Sequence, residues 1–119
     1  MSNPAFFITG TDTDAGKTTI AGGLLYAAQQ QGLSTLATKP VASGCSLSPE
    51  GLRNADALHL QAYSTVSAAY EEINPFAFEP PIAPHIAAAK ENRLLNTASL
   101  LPKVQAILAK GADFTLVEG

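Results

Sequence analysis

Nine consecutive residues, Gly10-Thr11-Asp12-Thr13-Asp14-Ala15-Gly16-Lys17-Thr18, carry the spacing G-x-x-x-x-G-K-[ST] of a phosphate-binding loop. In such a loop successive backbone N–H groups turn inward, and the helix that starts there adds partial positive charge. Lys17 would then reach the outer phosphates as a point charge, and the Thr18 hydroxyl is placed to ligate Mg²⁺. The chemistry implied is binding of a nucleoside triphosphate, with Asp14, Ala15, Gly16, Lys17, Thr18 and Thr19 as its contacts. A glycine-rich turn that binds nothing is the alternative. The context speaks against it: the apolar run Ala5-Phe6-Phe7-Ile8 precedes the loop as a buried strand, and a helical pattern follows it.

Other residues could act beside that loop. Asp12 and Asp14 lie within it and would face a polyanion. Either both side chains turn outward, or one meets a cationic substrate that offsets the repulsion. Lys39 ends a strand and is followed by Pro40-Val41-Ala42-Ser43-Gly44, which sets a hydroxyl and a permissive backbone beside an amine. A lysine there is either solvated or catalytic. Asp56 opens a helix, where it either complements the helix dipole or ligates a metal opposite Thr18. Glu118 directly follows an apolar strand, the usual place of a second metal contact in phosphate-loop proteins. Thr18, Asp56 and Glu118 would together suit Mg²⁺, which takes one or two carboxylates plus phosphate and water oxygens. His59 and His85 have no partner at metal-ligand spacing and read as structural or surface residues, which argues against zinc. Cys45 lacks the neighbours of an activated thiol.

These residues need elements to position them. Residues 5–9 read as a first strand. Residues 17–31 read as a helix with Ile20, Leu24, Leu25 and Ala28 on its apolar face, closed at Gly32. Residues 34–39 read as a second strand, 42–53 as a Ser/Gly/Pro-rich loop, and Asn54 to Tyr63 as a helix with Leu58 and Ala62 on one face. Asn74 to Pro84 holds four prolines and excludes a regular helix. A helix begins at Pro84. Another is capped by Asn96 or Thr97, has Pro102 in about its first turn, and runs to about Lys110, where Gly111 stops it. Residues 114–117 read as a third strand. This order implies parallel strands joined by crossovers, an α/β three-layer nucleotide-binding fold with a mostly parallel sheet. Residues 1–119 form one such domain. Three strands make a thin sheet, and the last residues follow an apolar strand, so the expectation is the N-terminal portion of a longer single domain.

Composition narrows the class. The 119 residues are 46% apolar and 14% charged, which suits a globular chain. A formal charge of −3 and the absence of a basic run argue against nucleic acid as partner. No apolar stretch approaches the roughly 20 residues of a membrane span. Met1-Ser2-Asn3-Pro4 leaves no room for a signal peptide, and one cysteine allows no internal disulfide, so a reducing cytoplasm is expected.

The loop at residues 10–18, Lys39-Pro40-Val41-Ala42-Ser43-Gly44 and Gly51-Leu52-Arg53-Asn54-Ala55-Asp56-Ala57, with Asn74-Pro75, Pro84-His85 and Val117-Glu118-Gly119 in the same order, resemble dethiobiotin synthetase. The resemblance spans residues 5 to 119. It implies an ATP-dependent cyclo-ligase of biotin synthesis that joins 7,8-diaminononanoate and CO2 through a carbamate and a carbamic–phosphoric anhydride. It implies that Lys17 and Lys39 are catalytic, that Thr13 and Ser43 contact the diamine or its carbamate, and that Asp56 and Glu118 complete the Mg²⁺ site. It further implies a homodimer, with base recognition and much of the dimer interface beyond Gly119, so that residues 1–119 alone are not expected to turn over. The family commonly has Glu where Asp14 stands, and some relatives have hydroxyls where Ile82-Ala83 stands. A cobyrinic acid amidase type of enzyme and a non-catalytic nucleotide switch are the rival readings. The segment Lys39 to Gly44 argues against the first. The second often carries an extra lysine near Thr11.

Overall fold

The computed structural model describes residues 4–8, 16–93 and 95–119, with backbone alone for 16–18. The elements in chain order are β1 (Ala5–Ile8), α1 (Gly16–Gln30), β2 (Thr35–Thr38), β3 (Val41–Ala42), β4 (Ser46–Ser48), β5 (Gly51–Arg53), α2 (Ala55–Tyr63), α3 (Tyr70–Ile73), β6 (Phe76–Ala77), α4 (Pro84–Lys90), α5 (Thr97–Leu108) and β7 (Phe114–Glu118). The main sheet has the order β1-β7-β2, all parallel, with Ala5 opposite Thr115 and Thr38 opposite Val117. Parallel neighbours need crossovers, and helices supply them on both faces. Ala37 and Leu116 pack with Ala21 and Leu25 of α1 and Leu60 of α2. On the opposite face Leu36 packs with Ile107 of α5 and with Ala112. The three-layer α/β class expected above is therefore the observed one. Among the described residues no helix is long and apolar enough to cross a membrane.

Several local expectations need correction. β1 is not buried: Phe6 is 48% and Phe7 67% exposed. An apolar run signals burial on both faces only for an inner strand, and β1 lies at the sheet edge. The buried stripe of α1 is Ala21, Leu25 and Ala28, whereas Ile20 and Leu24 face outward. Ala21 has the required i, i+4, i+7 spacing, and a small residue gives a weak periodic signal. On α2 the buried pair is Ala57 and Leu60, with Leu58 and Ala62 exposed. Residues 42–53 are not one loop. β4 and β5 form an antiparallel hairpin across Pro49-Glu50, and β3 pairs in parallel with β6. α3 was not expected at all. Asn96 is the cap of α5: its Oδ1 accepts from the Ser99 N–H at 3.0 Å, and the Asn96 N–H donates to Ser99 Oγ at 2.9 Å. Pro102 lies inside that helix, past its first turn.

A surface tie joins α3 to the end of α5 and gives the fold an acid-sensitive contact. Glu72 accepts from the Ala69 N–H at 2.9 Å and pairs with Lys110 at 3.0 Å. The backbone hydrogen bond first, and the ammonium second, hold its carboxyl below the usual value. A lowered pKa in the folded state stabilises above the ordinary carboxylate range, near about 4.3, and the contribution is lost as pH falls through the lowered value. Glu72→Gln is therefore expected to lower the melting temperature modestly at neutral pH and not in strong acid. Equal melting shifts at both pH values would refute the tie.

Candidate nucleotide site at the sheet edge

All three strands of the main sheet end on one edge, and the candidate residues follow those ends. Strand side chains alternate. Ala37 and Leu116 face α1, so Lys39 and Glu118, two residues further on, emerge on that same face. There Lys39 Nζ lies 3.3 Å from Glu118 Oε1, with the lysine side chain 12% and the carboxylate 1% exposed. The two residues were expected to act separately, as an active-site amine and a metal ligand. Their pairing was legible in principle, because Thr38 stands opposite Val117 in the register.

β1 ends at the same edge. Ile8 pairs with Glu118, and its carbonyl accepts from the Gly119 N–H at 2.8 Å. The described residues resume at Gly16, the first residue of α1. Asp12, Thr13, Asp14 and Ala15 lie outside the described residues, as do the side chains of Lys17 and Thr18. Thr19 is exposed on the first turns of α1 and, with Gly22, Gly23, Tyr26, His59 and Tyr63, lines a groove of about 440 Å³ between α1 and α2. A Cβ at Gly22 would meet the Tyr63 ring at 3.5 Å, an ordinary van der Waals contact.

The opposite ends of α1 and α2 show which way they run. Gln29 Nε2, near the end of α1, donates to Thr35 Oγ1 at 3.0 Å and to the carbonyl of Tyr63, the last residue of α2. Both helices thus finish at the start of β2 and begin at the strand-end edge. Both helix starts therefore face that edge, and a helix N-terminus carries partial positive charge. Asp56 stands in the first turn of α2, half-buried, below the cap formed by Asn54 Oδ1 and the Ala57 N–H at 2.9 Å.

Ser43 is half-buried in a segment fastened on both sides. The Phe78 N–H donates to the Ala42 carbonyl at 2.8 Å, Cys45 N–H to the Phe78 carbonyl at 2.9 Å, and Gly44 N–H to the Pro80 carbonyl at 3.1 Å. Gly44 takes φ +66°, a left-handed conformation that glycine adopts without strain. Cys45 is buried beneath this segment, and burial pushes its thiol above the usual value, which does not favour a thiolate nucleophile. His59 packs edge-on against Tyr63 at 4.8 Å, away from the strand ends, and His85 is exposed on α4. The structure therefore brings Lys39 and Glu118 into contact and sets Asp56 and the start of α1 on the same edge.

The fold is that of an α/β domain with a parallel sheet, and Lys39, Glu118 and Asp56 lie at its strand-end edge. Residues 4–119 match the family model described as an AAA domain, and the chain belongs to that family. It is 60% identical over 116 residues to the ATP-dependent dethiobiotin synthetase BioD of Pseudomonas paraeruginosa, covering 98% of this chain and 51% of that protein. It is 60% identical over 119 residues to the protein of the same name from Cellvibrio japonicus, covering 100% and 52%. With the one from Aeromonas salmonicida the identity is 45% over 115 residues, covering 97% and 51%. The chain spans about half the length of these curated relatives. The resemblance to dethiobiotin synthetase drawn from the loop, the Lys39–Gly44 segment and the Asp56 segment is borne out over nearly the whole chain.

Proposed function

We propose that this chain supplies the ATP-binding and phosphoryl-transfer part of a dethiobiotin synthetase, an ATP-dependent ligase of biotin synthesis. The observation that carries the reading is the Lys39–Glu118 pair, set at the strand ends beside the start of α1. Its support from relatives is their shared name and their 60% identity over 116 and 119 residues of this chain.

The reaction begins with 7,8-diaminononanoate and CO2: one amine adds to CO2 and loses a proton, giving a carbamate. A carbamate oxygen then attacks the γ-phosphorus of ATP and ADP leaves, which yields a carbamic–phosphoric anhydride. The second amine attacks the carbonyl carbon, phosphate departs, and a proton is released as the ureido ring closes. Carbamate and triphosphate are both anions, so their approach needs cations between them. Lys17 would hold the outer phosphates. Lys39 would sit between carbamate and γ-phosphate, where its charge offsets the repulsion at the moment of transfer. Thr13 and Ser43 would orient the diamine or its carbamate. Thr18, Asp56 and Glu118 are hard oxygen donors of the kind Mg²⁺ takes alongside phosphate and water. They fit that ion, which when bound offsets the triphosphate charge.

The test is phosphate release from ATP by the intact protein, with and without diaminononanoate and bicarbonate. Release that depends on the diamine, with a product of dethiobiotin mass, supports the reading. Release indifferent to the diamine overturns it.

A further inference from the structure

Lys39 owes its place to a set of largely buried hydrogen bonds that none of the roles above uses. Its own N–H donates to the Ile73 carbonyl at 2.9 Å, and its carbonyl accepts from Asn74 Nδ2 at 2.8 Å. Both backbone polar groups of the residue are thus held by the end of α3. Asn74 is 3% exposed and its orientation follows from chemistry. A carbonyl can only accept, so the amide nitrogen faces Lys39 and Oδ1 is left for another donor. That donor is the Tyr70 hydroxyl at 2.9 Å, which in turn accepts from the Asn54 N–H at 2.7 Å. Asn54 is the cap of α2, the helix that carries Asp56. Tyr70 is 7% exposed, and the Arg53 guanidinium covers its ring at 4.2 Å. A continuous chain of hydrogen bonds therefore runs from the backbone of Lys39 to the first turn of the Asp56 helix.

We propose that Asn74, oriented by Tyr70, is a positioning residue that fixes the Lys39 ammonium relative to Glu118 and Asp56. This rests on the reading of Lys39 as the amine beside the transferring phosphoryl group. Asn74 touches no reactant. It acts by holding the strand end from which the amine projects, so that the charge is in place before transfer and no reorganisation is needed.

Two arms test it. In the first, the protein is labelled with trace acetic anhydride, and acetylation of Lys39 is compared by mass spectrometry with that of exposed Lys90 and Lys103. Asn74→Ala is expected to raise the Lys39 ratio several-fold. Asn74→Asp should do the same, because it sets an acceptor against the Lys39 carbonyl. Tyr70→Phe, which keeps the ring packing and so preserves the test if the Asn74 variants do not fold, should give a smaller rise. Unchanged ratios in the folded variants overturn the proposal. In the second arm, Asn74→Ala is expected to lower kcat of the intact protein by about 10–100-fold with little change in KM for ATP. In a Lys39→Ala background it should have no further effect, and an additive loss there overturns the proposal. If diamine-dependent turnover is absent the proposed reaction fails, and the labelling ratios still decide the role of Asn74.

Discussion

Lys39→Ala is expected to lower turnover of diamine and bicarbonate by about 10²–10³-fold while leaving ATP affinity nearly intact. The amine sits at a strand end, largely shielded, beside a carboxylate that is 1% exposed. In such surroundings a positive charge acts on developing negative charge more strongly than it would in water. On the proposed reaction that charge is needed when two anions meet, and less when ATP alone is held by the loop. The discriminating measurement is kcat and KM set against ATP affinity by calorimetry. Equal losses in rate and affinity would make Lys39 a phosphate ligand and no more. Lys39→Arg keeps the charge but spreads it over a planar fork, so it should restore only part of the rate. Lys39→Ala also removes a charge partner from Glu118, and a fall in melting temperature should accompany the kinetic loss.

Phe78→Ala is expected to cost about 3–5 kcal/mol of stability. The ring is fully buried among Ala87, Ala88, Val41, Phe76, Ile82 and Leu95, with the Arg93 guanidinium 4.6 Å from its centre. Its backbone forms two of the bonds that fasten the Ser43 segment, one from its N–H to Ala42 and one to its carbonyl from Cys45. Loss of the ring should therefore loosen Ser43 as well as the local core. Urea unfolding gives the stability change, and hydrogen exchange at the Cys45 amide reports the segment. A stability loss under about 1 kcal/mol would mean that the surrounding side chains close over the gap. Undiminished protection of Cys45 would mean the segment does not depend on the ring.

The parts that were legible in the amino-acid order are those governed by nearby residues. The phosphate loop is a contiguous motif. The helix starts at Asn54, Pro84 and Asn96 are announced by capping chemistry. Glu118 could be assigned to a strand end because an apolar run precedes it, and Lys39 because the strand reading of residues 34–39 stops at Pro40. What could not be read depends on partners far along the chain. β3 and β6 are two residues long and exist only by pairing with each other. The exposure of Phe6 and Phe7 follows from strand order, to which the residues of β1 give no clue. The buried stripe of α1 turns on Ala21, which carries little hydrophobic signal of its own. Asn54, Tyr70 and Asn74 meet through tertiary structure, and no local pattern marks them as one group.

The strand order also governs when this sheet can assemble. β1 and β2 do not pair with each other, because β7, which follows both in the chain, lies between them. Until Phe114–Glu118 is synthesised, Phe6 and Phe7 lack the strand they pair with in this sheet. Such long-range closure slows folding and leaves an apolar edge exposed to other nascent chains.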